Sequence, residues 1–88
     1  MSYEVTLLAT ARKELLRLPK ELQARIMPHL EELAAEPYPE NSRKLLGEFR
    51  GLVRLRVGSY RVAYQVDEQA QEIIIVKIGH RGRFYQAL

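Results

Sequence analysis

Residues Arg54 to Val66 read RLRVGSYRVAYQV, and their register decides how the second half of the chain folds. Apolar side chains alternate with others on both sides of Gly58-Ser59, the pattern of two half-buried strands joined by a tight turn. Two residues between such strands fit a type II′ loop, with glycine at the position that needs positive φ. The turn then sets Val57 opposite Tyr60, Leu55 opposite Val62 and Val53 opposite Tyr64, all on one face, as a core-facing register requires. The other face receives Arg56 opposite Arg61, Arg54 opposite Ala63 and Leu52 opposite Gln65. Like charges directly opposite each other destabilise a sheet by up to about 1 kcal/mol, so the arginines are poorly explained by folding. Asp67 and Glu72 sit at the far loop, too distant to neutralise Arg56 and Arg61.

Working outward, LVRLRV (Leu52 to Val57), YRVAYQV (Tyr60 to Val66) and EIIIVKIG (Glu72 to Gly79) form an antiparallel meander. Ile74, Val76 and Ile78 are expected on the core face. Lys77 then joins the arginine face, as does Arg81 if the strand runs past Gly79. Upstream, YEVTL (Tyr3 to Leu7) alternates as a strand. Leu8, Ala11, Leu15 and Leu18 form one helical stripe, and Leu22, Ile26, Leu30 and Leu33 a second. Pro19 fits the first turn of the second helix, and Pro28 is expected to kink it. Glu36 to Ser42, with two prolines, ends it. The tight connection makes the helices an αα-hairpin. The order β-α-α-β-β-β implies an α+β two-layer domain, with helices on one face of an antiparallel sheet.

A chain of 88 residues is one domain, residues 1–88, with a single modest core. It has no cysteine, hence no disulfide and no thiolate site. The N-terminal stretch reads as neither a signal peptide nor a membrane span, which makes the cytoplasm the default location. The net charge of +3 is unevenly placed. Residues 1–44 carry seven basic and seven acidic side chains, and residues 45–88 carry seven basic and four acidic. Six of the latter basic residues are arginines: Arg50, Arg54, Arg56, Arg61, Arg81 and Arg83. A clustered arginine excess points to a polyanionic partner, and arginine forks suit phosphate oxygens.

Other chemistries lack their residues. There is no glycine-rich phosphate loop and no His, Cys or carboxylate spacing for a metal. His29 and His80 are assigned to the surface. No serine or cysteine nucleophile with a base can be argued. Chemistry on this chain is therefore expected without metal or cofactor, on Arg, Lys, Tyr or His.

The stretch LRVGSYRVAYQVDEQAQEIIIVKIGHRGRFY (residues 55–85) resembles the RelE/ParE superfamily of bacterial and archaeal toxins. The arginine strand, the Gly-x-Tyr-Arg-Val turn at Gly58 to Val62, Tyr64, the apolar last strand and the ending IGHRGRFY carry the resemblance. RKLLG (Arg43 to Gly47) and LPKELQ (Leu18 to Gln23) add to it. It implies a RelE-like fold with the first strand beside the last. In the RelE branch the toxin enters the ribosomal A site and cuts mRNA. The RNA 2′-hydroxyl attacks the adjacent phosphate and leaves a cyclic phosphate and a free 5′-hydroxyl, chemistry that needs RNA but no metal.

By position, the resemblance implies that Arg61 and Arg81 hold the scissile phosphate, with Arg81 also protonating the leaving oxygen. It implies that Tyr85 stacks on a base or assists proton transfer. Arg54, Arg56, Lys77, Arg83 and Lys44 are the expected phosphate- and RNA-binding set. One departure stands out. The best-known RelE members have lysines where Leu52 and Arg54 stand, one of them a candidate general base. Leu52 takes no proton and Arg54 stays charged, which leaves Lys44, Lys77, His80 and Tyr85 as candidates. The alternative reading is a ParE-like toxin, a protein-binding inhibitor of DNA gyrase with no catalytic set. The implied partners are a cognate antitoxin, the ribosome and mRNA, with no membrane and no small-molecule cofactor. The antitoxin is expected to lay an acidic or amphipathic segment over the arginine face or the helices.

Overall fold

The computed structural model describes residues 2–85. Strand β1 (Glu4–Leu7) leads into α1 (Ala9–Leu16) and α2 (Lys20–Glu32). Then come β2 (Ser42–Lys44), a 3-10 turn (Gly47–Phe49), β3 (Val53–Val57), β4 (Tyr60–Asp67) and β5 (Glu72–His80). The strands form one sheet in the order β1-β5-β4-β3-β2.

Packing, rather than capping, holds the short α1, which has no side-chain cap and buries Ala11 and Leu15. Pro19 lies just before α2 with extended backbone, and its carbonyl accepts from the Leu22 and Gln23 amides at 2.9 and 3.1 Å. The Gln23 amide side chain reaches back to the Leu18 carbonyl at 2.8 Å and fastens the corner between the helices. Helix α2 continues through Pro28 without interruption. The carbonyl that Pro28 cannot engage belongs to Ala24, an exposed residue whose oxygen water can serve. Ile26, Leu30 and Leu33 meet Val53, Leu55, Val57, Val62 and Tyr64 in one core. The Tyr64 hydroxyl crosses that core and donates to the Pro37 carbonyl at 2.6 Å, and burial pushes its pKa up to about 12.

The β3–β4 register is the expected one, with Val57↔Tyr60, Leu55↔Val62, Val53↔Tyr64, Arg56↔Arg61 and Arg54↔Ala63. Gly58 takes φ +59°, the left-handed backbone that the first position of the turn demands.

Three features depart from expectation. First, β1 pairs with β5 in parallel, so the sheet is mixed. Strand direction depends on the path between strands, which hydrophobic alternation does not encode; here the helices carry the chain from β1 to β2 at the far edge, and the antiparallel run back through β3 and β4 brings β5 in parallel to β1. Second, β2 forms on a polar tripeptide, Ser42-Arg43-Lys44. It has no apolar alternation to reveal it, and its charge suits an exposed sheet edge. Third, Ile73 and Ile75 are the buried residues of β5 together with Ile78, whereas Ile74 and Val76 are only half-buried. The pairing passes from Ala63↔Lys77 to Tyr64↔Ile75, so Val76 is an extra residue in a β-bulge and parity flips there. The run Ile73-Ile74-Ile75-Val76 is apolar throughout, so either register satisfies its pattern.

The bulge adjoins a substitution of side chain for strand. β1 ends at Leu7, and beyond it the Ile78 amide donates to Glu14 of α1 at 2.9 Å. The other oxygen of Glu14 receives the Lys77 ammonium at 2.7 Å. Glu14→Ala is expected to destabilise the protein by about 1–3 kcal/mol, because a half-buried amide and a cation lose their shared acceptor. Glu14→Gln, which can still accept from Ile78, should lose less. Denaturant midpoints of the two variants check the order.

Candidate nucleic-acid interface

The face turned away from the helices collects the arginines. Arg56 and Arg61 are cross-strand neighbours, and β2 adds a second like-charged pair, Arg43 opposite Arg54. Among the described residues the single ion pair is Lys77–Glu14, so no carboxylate neutralises these guanidinium groups. Arg61 is held by the hairpin, its Nη1 donating to the Gly58 and Tyr60 carbonyls at 2.8 and 2.9 Å. Burial holds its pKa below the usual arginine value, helped by the positive charges of Arg54, Arg56 and Arg81. The last influence places Arg81 in the same electrostatic cluster.

Arg81 arrives there by the expected parity, because β5 runs past Gly79 to His80 and its pairing with the hairpin continues to Arg81 before the chain turns. Its amide donates to the Ser59 carbonyl at 2.8 Å, and the Arg83 amide donates to the His80 carbonyl at 3.0 Å. The anchor is Phe84, 1% exposed. One edge of its ring lies 4.0 Å from where a β-carbon on Gly79 would stand, and Gly79 is the β5 partner of Arg61. Phe84 and the buried Ala63 lie outside the helix-side core cluster. The arginine face therefore has a small apolar layer of its own. Tyr85 follows, edge-on to Phe84 at 5.1 Å and tilted over Phe49 at 5.9 Å. Its hydroxyl is 3.4 Å from Arg54 Nη1, while Arg54 Nε is buried without a hydrogen-bond partner among the described residues.

The structure thus brings together Arg54, Arg56, Arg61, Arg81 and Tyr85. Arg83 sits exposed in the turn between Arg81 and Phe84. Two residues of the expected phosphate-binding set are not brought in as free cations. Lys44 pairs with Val53 and so belongs to the opposite parity, with its ammonium over the Tyr38 ring at 5.0 Å from the centroid. Lys77 has the expected parity but is engaged by Glu14. Of the candidate bases, His80 pairs with Tyr60 and stands edge-on to its ring; its Nδ1 accepts from the Gly82 amide at 3.2 Å. Of the four candidates, Tyr85 is the one whose hydroxyl meets an arginine of this face, Arg54. Leu52 lines an open cleft of about 560 Å³ with Phe49 and Val76 as apolar floor and Glu48 on its wall.

Sequence reasoning missed Arg43, Phe84, Phe49 and Glu14. Arg43 lay in plain view inside RKLLG but needed β2 to give it a partner. Phe84 and Phe49 act through contacts between segments distant in sequence.

Comparison with known proteins agrees with this geometry. Residues 5–85 match the family described as ParE toxin of type II toxin-antitoxin system, parDE. The chain is 30% identical over 87 residues to Toxin RelG of Mycobacterium tuberculosis, covering 98% of this chain and 99% of that one. The crystal structure of the toxin–antitoxin complex RelBE2 from the same organism superposes with a TM-score of 0.84 at 29% identity, over 92% of this chain and 100% of the other. The archaeal RelE–RelB complex from Pyrococcus horikoshii gives 0.81 at 36% identity, over 94% and 99%. Fold, arginine face and relatives agree: the chain belongs to the RelE/ParE family of type II toxin–antitoxin toxins.

Proposed function

We propose that this toxin is an endoribonuclease that cuts mRNA in the ribosomal A site and thereby stops translation. The observation that carries the reading is the convergence of Arg54, Arg56, Arg61 and Arg81, with no carboxylate paired to them among the described residues, beside the Tyr85 hydroxyl. Guanidinium groups held in advance around a phosphate stabilise the charge that builds on its oxygens in the transition state. The nucleophile comes from the substrate. The 2′-hydroxyl passes its proton to water, O2′ bonds to phosphorus, and the P–O5′ bond breaks. The products are a 2′,3′-cyclic phosphate and a 5′-hydroxyl that has taken up a proton. Arg61, locked on the turn carbonyls, grips the phosphate; Arg81 hydrogen-bonds the leaving oxygen and relays to it a proton from water while staying charged. Tyr85 is the group of this face suited to stack on a base and exchange the 2′-proton.

A protein antitoxin belongs to the same proposal, since the RelBE2 and RelE–RelB neighbours are toxin–antitoxin complexes. An acidic or amphipathic segment would lie over the arginines or over the helices, where Leu16 and Met27 are exposed.

The second reading, a ParE-like toxin that binds DNA gyrase without catalysis, draws on the ParE family match and on Leu52 and Arg54, neither of which can act as a base at working pH. One experiment separates the two. The purified protein, added to ribosomes programmed with mRNA, is expected to cut at the A-site codon. Intact mRNA together with gyrase-dependent DNA damage would replace the nuclease by the ParE-like reading.

A further inference from the structure

We propose that Arg43, Arg54 and Arg56 form a second phosphate subsite at the β2–β3 edge, so that the RNA strand crosses the sheet from the Arg61–Arg81 pair toward β2. The inference rests on the RNA-cleaving reading and adds to it a direction and a further contact residue, Arg43.

Arg43 and Arg54 are opposite each other on β2 and β3, and both line a small niche of about 100 Å³ with Arg56 and Ser42. That space suits a phosphoryl group and is too small for a nucleoside. Its wall is fixed by the backbone: the Asn41 side-chain amide donates to the Arg56 carbonyl at 2.7 Å, and the Arg56 amide donates to the Asn41 carbonyl at 2.9 Å. Arg54 Nε is buried with no acceptor among the described residues, an unfavourable state for a charged donor and one that a phosphate oxygen would relieve. Two cross-strand arginine pairs, Arg43↔Arg54 and Arg56↔Arg61, offset by two residues along β3, make a cationic stripe that runs diagonally across the strands. Arg43 and Arg61 stand two strand spacings and a two-residue step apart, about 12 Å between backbones, which leaves room for separate phosphates of one chain. Glu40 also lines the niche but forms no ion pair among the described residues. It should act as a brake on anion binding.

The test uses the full chain and a 2′-O-methyl hexanucleotide, which binds without being cut. Side-chain N–H signals of arginine are followed by NMR. The Arg54 Nε–H signal is expected to move on titration. Arg43→Ala should weaken binding several-fold and reduce the slope of log K against log salt by about 0.7, the loss of one single-strand phosphate contact. Arg43→Lys, which keeps the charge without the fork, should lie between. Glu40→Gln should tighten binding, an effect opposite to that of a merely structural lesion. If Arg61 and Arg81 respond while Arg54 does not, and Arg43→Ala binds as the parent does, the second subsite is overturned and the RNA reading stands. If no arginine responds, both fall. If Arg54 responds to an acidic peptide and not to the oligonucleotide, the niche belongs to a protein partner and the subsite is overturned.

Discussion

Alanine at Arg61 or at Arg81 is expected to lower the single-turnover rate of mRNA cleavage on programmed ribosomes by about 10²–10³-fold each, the range for removing one preorganised contact to transition-state charge. The loss should appear in the maximal rate more than in the toxin concentration giving half of it, since the contact strengthens as charge develops. Stability should move little. Arg61 faces Arg56 directly, and removing one of two opposed like charges offsets the hydrogen bonds lost at the Gly58 and Tyr60 carbonyls. Loss of cleavage with an unchanged denaturant midpoint is therefore the signature of a catalytic arginine. Lysine at position 61 should recover part of the rate, because it restores the charge without the fork that grips two oxygens. The double variant should lose less than the product of the single losses, because both groups act on one phosphate. Wild-type rates in either alanine variant would remove that arginine from the mechanism.

The second large effect is expected from a residue with no chemistry. Phe84→Ala should cost about 3 kcal/mol or more, the range for truncating a buried phenylalanine, and should also reduce cleavage by about 10²-fold through misplacement of reacting groups. Phe84 is buried between Arg81 and Tyr85 in sequence and packs beside Gly79, so its ring holds the returning tail against the arginine face. A comparison isolates this positioning role. Leu30→Ala truncates the helix-side core and should cost stability while leaving cleavage intact below its melting temperature; Phe84→Ala should lose cleavage at the same fraction folded. Trypsin provides a second readout, since freeing the tail should speed cutting after Arg81 and Arg83. Phe84→Leu, which keeps most of the apolar volume, should restore much of both. Unaltered cleavage in folded Phe84→Ala would show that the tail needs no such anchor.

The hairpin was legible because one short turn fixes one register. Gly58-Ser59 pairs Val57 with Tyr60, and every other pair of β3 and β4 follows, including the opposed Arg56 and Arg61. Both helices were legible from stripes of which Ala11, Leu15, Ile26, Leu30 and Leu33 lie in the core; Leu8, expected on the first stripe, precedes α1 and is exposed. Legibility ended where the pattern was degenerate or absent. Four consecutive apolar residues in β5 concealed the bulge at Val76, and the polar β2 concealed the partner of Arg54. For the site, the arginines of the hairpin were visible by parity. The engagement of Lys77 by Glu14 was not, because those residues are 63 positions apart.

By itself, then, the sequence determined which hairpin residues face the helices and which arginines face away, because parity and turn geometry are local properties of the backbone. Tertiary structure decided which cations stay free. It gave Lys77 a carboxylate, sent Lys44 to the other face and brought Arg43 opposite Arg54. It also turned the tail back after Arg81, so that Tyr85 meets Arg54 beside the buried Phe84. The physical reason is that a charge is neutralised by whatever lies within a few ångströms, and in a folded chain that neighbour is set by packing between distant segments.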